Sequence, residues 1–186
     1  MISNGSRFLL HSLLLSFLLS GGARAVAEGN GSQADFCERM KLRQLLTQAE
    51  AERLLGQPAV RLLTNTSGLR DDVRQCQCGY FGMTRDKASG QNCVVYFSLE
   101  VREKNPSAEQ AHQVLVSTKE ANAHDTEIRD LSGIGDEAFS LSNDSNSHLI
   151  MARKGAIIMR LQVKRATGSR SLEDLTAFAE KVFKQL

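Results

Sequence analysis

Four cysteines, Cys37, Cys76, Cys78 and Cys93, are the first residues in this chain whose chemistry asks for an account. An even number in an exported chain reads as two disulfides, for which three connectivities exist. Cys76 and Cys78 are separated by one residue. In an extended strand they share a face, with Cα atoms near the upper limit for a bridge. Each should therefore seek Cys37 or Cys93. The spacing favours Cys78–Cys93 across a hairpin, with Cys37–Cys76 stapling the N-terminal segment, and the swapped arrangement stays open. In the chain-entropy account each bridge would contribute about 3–4 kcal/mol. The rival chemistry is a metal or redox site. Cys-x-Cys with nearby Met83 would suit a soft ion such as Cu(I). Zinc sites, however, use cysteine pairs two to four residues apart with matched histidines, and no Cys-x-x-Cys redox motif occurs. No metal or cofactor is expected.

Other chemistry-bearing residues form weaker patterns. Gly133-Ile134-Gly135-Asp136-Glu137-Ala138 nominally fits a dinucleotide fingerprint, but that mechanism needs a helix after the glycines to meet a pyrophosphate. Here Phe139-Ser140-Leu141 continues as a strand, so the glycines are expected to serve positive φ in a tight connection. His112, His124 and His148 read as satisfied or solvent-facing histidines, with His148 opposite Leu161 near the end of a sheet. No nucleophile elbow, His-Glu-x-x-His, Walker loop or EF-hand loop is present, so no catalytic residue is assigned. Arg153, Lys154, Arg160, Lys164 and Arg165, with Arg170, are the one cluster of like charge and a candidate patch for an anionic ligand or membrane surface. A chain with no Trp and two Tyr has little stacking surface for nucleic acid, which is not expected as a partner.

The first 25 residues place these side chains in a compartment. Arg7 precedes a run from Phe8 to Leu19 rich in Leu and Phe, and Ala23-Arg24-Ala25 offers small residues where a signal peptidase reads. Twelve apolar-rich residues are too few to cross a bilayer core, which takes about 20. Cleavage after Ala25 is expected, giving a periplasmic or extracellular protein with no transmembrane segment. The first cysteine after that point is Cys37, too distant for lipid attachment. The whole chain of 186 residues has 23 Lys and Arg against 21 Asp and Glu. Residues 1–25 take Arg7 and Arg24 and no acid, so the remainder is formally neutral and has no general attraction to polyanions.

The elements that must position everything follow from turn and cap signals. Residues 26–34 form a polar, Gly-containing tail expected to be loose. Within 35–186 a turn of helix covers Phe36 to Leu46. Thr47 and Glu50 then form a capping box, before a helix carrying Ala51, Leu54 and Leu55 and closed by Gly56 and Pro58. Strands are expected over Ala59–Thr64, Cys76–Met83 and Cys93–Val101. In the last, Cys93, Val95, Phe97, Leu99 and Val101 alternate with polar or aromatic residues at period two. Ser107 caps a second helix with Ala108, Ala111, Val114, Leu115 and Thr118 on one stripe. Strands over Ile128–Leu131, Ala138–Leu141, His148–Arg153 and Ala156–Val163 follow, the last two joined around Lys154-Gly155. That register sets Ile150 and Ala152 on the face of Ile157, Met159 and Leu161. Leu172, Leu175, Phe178, Ala179, Val182 and Phe183 form the inner stripe of a terminal helix capped by Ser171. The order is helix, three strands, helix, four strands, helix: a single α+β domain with an antiparallel sheet covered by helices.

The run Leu45-Leu46-Thr47-Gln48-Ala49-Glu50-Ala51-Glu52-Arg53-Leu54-Leu55-Gly56-Gln57-Pro58 resembles the opening of small exported bacterial domains of unknown function, among them mycobacterial lipoproteins and extracellular sensor domains. Cys78-Gly79-Tyr80, Gly133 to Ala138, Arg153-Lys154-Gly155 and the terminal helix recur in the same order, so the resemblance spans residues 37–186. It implies a helix-flanked antiparallel sheet similar to the Mog1/PsbP-like fold, in a bacterial envelope protein. It carries over no catalytic residue. The absence of a lipid-attachment cysteine departs from many members. The expectation is therefore a non-catalytic, disulfide-stabilised exported module that binds a ligand or protein partner. The alternatives are a small hydrolase-like enzyme with a dispersed site and a binder of anionic ligands or membrane surfaces.

Overall fold

A computed structural model of the protein describes residues 37–38, 40–62, 68–70, 72–87, 89–102, 104–124, 126–143, 147–164 and 171–186. The expected export signal at 1–25, the expected loose tail at 26–34, Arg165 and Arg170 lie outside the described residues. Chain order is α1 (Leu42–Leu45), α2 (Gln48–Leu55), β1 (Ala59–Arg61), β2 (Gly68–Arg70), β3 (Val73–Arg85), β4 (Asn92–Arg102), α3 (Ala108–Asn122), β5 (Glu127–Leu131), β6 (Glu137–Asn143), β7 (Ser147–Lys154), β8 (Ile157–Lys164) and α4 (Ser171–Phe183). The α+β reading holds.

The caps form where side chains can supply them. Thr47 Oγ1 accepts the Glu50 N–H at 3.3 Å and Ser107 Oγ accepts the Gln110 N–H at 3.1 Å, each satisfying a first-turn donor. Gly56 closes α2 at φ 68°, a left-handed conformation that costs glycine little. The Glu50 carboxylate is not spent on a reciprocal capping bond. It joins Arg53 at 3.0 Å and Lys181 at 2.7 Å, tying α2 to α4.

The strands form one antiparallel sheet in the order β1-β3-β4-β8-β7-β6-β5, with β2 also pairing β3. Three sequence expectations change. β2 was not anticipated. The β7–β8 pairing sets Lys154 opposite Ile157, so the turn is Gly155-Ala156, one residue later than expected. His148 accordingly faces Val163 and not Leu161. Because the shift preserves parity, Ile150, Ala152, Met159 and Leu161 still share a face.

One face of the sheet is closed. Cys76, Cys78 and Tyr80 of β3, alternate residues Cys93 to Leu99 of β4, and Ile150, Ala152, Met159, Leu161 and Val163 form a single apolar cluster with Leu54 and Leu55 of α2 and Leu175, Phe178, Ala179 and Val182 of α4. Phe97, fully buried at its centre, meets Phe178 edge to face with centroids 5.9 Å apart. Tyr80 Oη reaches the Leu46 carbonyl at 3.3 Å, so its polar tip is satisfied within that core.

On this face Cys37 and Cys76 are bonded, with Cα atoms 5.4 Å apart. The expected Cys78–Cys93 partner bond does not form. Cys78 sits opposite Phe97, four residues along β4 from Cys93, which is about 13 Å at strand rise and far beyond disulfide reach. The hairpin turns between Arg85 and Asn92, about three residues beyond the midpoint of Cys78 and Cys93, so Cys78 pairs well past Cys93 on β4. Cys78 and Cys93 are instead buried thiols in the closed core.

Candidate functional site

The other face of the sheet is divided. Phe139, Leu141, Met151 and Ile158 lie under Ala111 and Leu115 of α3 in a second, smaller apolar cluster. That helix packs on β7 and β8. The remainder of the face, on β1, β3, β4 and the end of β8, carries Val60, Leu62, Phe81, Val94 and Tyr96. All five are half-buried, and among the described residues none belongs to either cluster. The register makes them neighbours: Val60 pairs with Phe81, Phe81 with Val94, Val94 with Lys164, and Tyr96 with both Gly79 and Gln162.

Gly79 explains how Tyr96 lies. A Cβ at position 79 would stand 3.0 Å from Leu62 Cδ1 and 3.0 Å from Tyr96 Cδ1, so both side chains fold across the bare backbone. Leu62 is fixed there by its N–H, which donates to the Gly79 carbonyl at 2.9 Å. An aromatic ring laid over a strand glycine stabilises the strand and turns a ring face outward.

A polar cluster marks the seam between this open area and α3. The Glu100 side chain, 12% exposed, receives Gln75 Nε2 at 3.0 Å and Ser98 Oγ at 3.5 Å, and stands 3.0 Å from Arg160 Nε. All three contacts converge on Oε1. Arg160 Nε is buried and makes no aligned hydrogen bond among the described residues despite its ion pair. Beside the cluster lies a cavity of about 160 Å³. Glu100, Arg102, Arg160, Ser107 and Gln110 line it with apolar residues of β3, β4, β8 and α3, among them Val73, Val114 and Ile158.

The basic residues singled out from sequence do not form one patch. Arg153 is 17% exposed and held by Glu137 at 3.0 Å and Asp136 at 3.3 Å. Lys154 lies on the opposite face and donates to the Phe183 carbonyl at 3.5 Å, where a cation suits the C-terminus of α4. Arg160 is paired with Glu100. Among the described residues Arg153, Arg160 and Lys164 lie on the same face of the sheet, Arg153 near α3 and Lys164 beside Val94.

The Gly133–Ala138 segment is structural. Gly133 and Gly135 adopt φ 81° and 62°, as expected of a tight connection. A Cβ on Gly135 would lie 2.2 Å from the Arg153 carbonyl oxygen. Asp136 N–H donates to that carbonyl at 2.8 Å, and Asp136 Oδ2 accepts the Gly155 N–H at 2.7 Å. Two motifs far apart in sequence thus clasp each other. His112 joins them, with Nδ1 2.7 Å from Glu137 Oε2. Burial pushes the Glu137 carboxyl up, but hydrogen bonds and charges from His112 and Arg153 outweigh it and hold the group below the ordinary carboxylate value.

One nucleophile–base contact also occurs. Ser142 Oγ lies 2.8 Å from His148 Nδ1 on the closed-face side, and burial lowers the His148 pKa, favouring neutral imidazole. Glu127, opposite Ser142 on β5, is ion-paired with Arg129 at 2.6 Å. Cys76, Cys78 and Met83 are not gathered as a soft-metal site: Cys76 is in the disulfide, Cys78 is buried and Met83 is 64% exposed.

Fold and site together define a single-domain α+β protein with one face of its sheet closed and the other, among the described residues, covered by α3 over its β7–β8 side. Among the described residues no helix is long and apolar enough to cross a membrane. No family model matches the chain, and no curated protein matches it.

Proposed function

We propose that the protein is an exported, disulfide-stabilised, non-catalytic binding or accessory module that takes its ligand on the half-covered face of the sheet. The observation that carries this reading is the set Val60, Leu62, Phe81, Val94 and Tyr96, five half-buried apolar side chains joined by register and outside both apolar clusters. Contiguous apolar surface that contributes to no core is costly to leave in water and marks an interaction site. The disulfide and the signal-like residues 1–25 support export into an oxidising compartment. An apolar fluorescent dye such as anilinonaphthalene sulfonate tests the reading. The folded protein should bind it, and Phe81→Ser with Tyr96→Ser should abolish binding while leaving a cooperative thermal transition. Dye binding unaffected by the double variant would overturn the assignment of this face.

A small hydrolase is the second reading, favoured by the Ser142–His148 contact alone. It requires a fluorophosphonate probe to label Ser142 in the folded protein and not in His148→Ala. Failure to label removes it.

A further inference from the structure

We infer that the Cys37–Cys76 disulfide is a latch with two seats, and that Cys78 takes the bond over from Cys76 by thiol–disulfide exchange. The inference concerns the closed face and stands apart from the binding surface opposite. Cys76 and Cys78 alternate with Gln77 on β3, facing Leu99 and Phe97 of β4, so both side chains enter the closed cluster. Cys37, at the other end of the bond, packs against the same cluster. Two residues of strand rise put the Cα atoms of Cys76 and Cys78 about 7 Å apart. Cys37 lies 5.4 Å from the first, Cα to Cα, so a shift of one strand repeat carries it to the second.

Cys93, the other buried thiol, is no rival. Cys76 is opposite Leu99, and Cys93 lies about 20 Å from that residue along β4 at strand rise.

The exchange is balanced within the chain. The Cys78 thiol loses its proton and its sulfur attacks Sγ of Cys37. The Cys37–Cys78 bond forms as the Cys37–Cys76 bond breaks. The electron pair leaves on Cys76 Sγ, which takes up a proton in place of the one lost by Cys78. The count of disulfides and thiols is the same before and after, so no oxidant or reductant is consumed.

The second seat has a structural consequence at α1. Cys78 Sγ lies 4.0 Å from the Leu42 carbonyl oxygen, so the start of α1 rests on it. α1 has 4 residues, its N-cap Lys41 stands at φ 46°, and no side chain caps it. So short a helix has little stability of its own and is held by burial of Leu42, Leu45 and Leu46. Moving Cys37 from Cys76 to Cys78 takes it under Leu42, and α1 must leave β3. The seat of the bond thereby decides whether Leu42 and Leu45 cover the sheet.

Disulfide mapping of the full chain tests the inference. The protein is held at about pH 8.5, near the ordinary thiol pKa, without added thiol, then acid-quenched, alkylated and digested with trypsin. Cys76 and Cys78 fall in one peptide, and fragmentation on either side of Gln77 shows which sulfur holds Cys37. Most molecules should carry Cys37–Cys76 and about one in a hundred Cys37–Cys78, the population of a minor conformer, with no Cys37–Cys93. In Cys76→Ser the Cys37–Cys78 bond should form in nearly every molecule. There the Leu45 and Leu46 amides, which donate to the Lys41 and Leu42 carbonyls, should exchange with deuterium about ten-fold faster than in the native protein. Native protein with no Cys37–Cys78 overturns the exchange, whether or not Cys76→Ser folds. Cys37–Cys93 in equal amount to Cys37–Cys78 also overturns it, as the mark of random reshuffling in unfolded chains. A Cys37–Cys78 bond in Cys76→Ser with unchanged protection of Leu45 and Leu46 overturns the displacement of α1.

Discussion

The two faces of the sheet are built from the same strands yet differ in how completely they are used. On the closed face, alternate β4 residues from Cys93 to Leu99 are fully buried, helices on both sides of the β3–β4–β8 centre lie over them, and a disulfide anchors the N-terminal segment to β3. On the opposite face one helix covers the β7–β8 side, and the aromatic and aliphatic residues of β1, β3 and β4 join no cluster. The difference teaches where stability and recognition reside. The closed face holds the domain together. The half-covered face retains apolar residues that, among the described residues, join no cluster.

The comparison can be broken most sharply at Phe97. Phe97→Ala removes a fully buried ring from the centre of the closed face and its contact with Phe178, which should cost about 3–5 kcal/mol in chemical denaturation. A loss near 1 kcal/mol would mean the closed face is not the main core. Next comes the staple. Cys37→Ser opens a crosslink between residues 39 apart in sequence and should lower stability by about 2–4 kcal/mol, measured as a shift in denaturation midpoint. An unchanged midpoint would move the N-terminal segment out of the folding unit.

The half-covered face should respond weakly by the same measures. Tyr96→Ala should cost about 1 kcal/mol, the scale of strand-surface substitutions, while removing the outward ring from the open area. A loss approaching that of Phe97→Ala would show that Tyr96 belongs to a core and would erase the contrast between faces.

The smallest expected effect is a pH dependence at the turn clasp beside α3. The folded Glu137 pKa lies below its ordinary value, because His112 and Arg153 outweigh its burial. The pairing therefore contributes stability above about pH 4.3 and loses it as pH falls through the folded value. Thermal melts below about pH 4 should fall more steeply for the native protein than for Glu137→Gln. Parallel curves would show that the clasp adds nothing.

Much of the closed face was legible in the sequence, because its signals are local and periodic. The β4 alternation named its buried residues, Thr47 and Gly56 bounded α2, and the parity of the last hairpin survived a one-residue error in its turn. The second disulfide was misread because the hairpin turns between Arg85 and Asn92, beyond the midpoint of Cys78 and Cys93, and nothing in Cys78-Gly79-Tyr80 announces where the turn falls. β2, three residues long, carries too short a pattern to register. The candidate site was illegible for a different reason. Leu62, Phe81, Val94 and Tyr96 each look like an ordinary solvent-side strand residue, and only pairing across β1, β3 and β4 gathers them. Glu100 and Arg160 are 60 positions apart and meet only through the β4–β8 register. The basic cluster reads differently in the described residues: Arg153, Lys154 and Arg160 are close in sequence, but alternation turns Lys154 to the other face and each is held by a local partner.

The most direct test of the account maps where small fragments touch the folded protein. Backbone amide shifts recorded during titration with small aromatic and aliphatic fragments should change at Phe81, Val94 and Tyr96, and stay still along β5. Shifts spread evenly over the surface, or gathered at the β5 edge, would contradict the claim that the half-covered face is the binding surface.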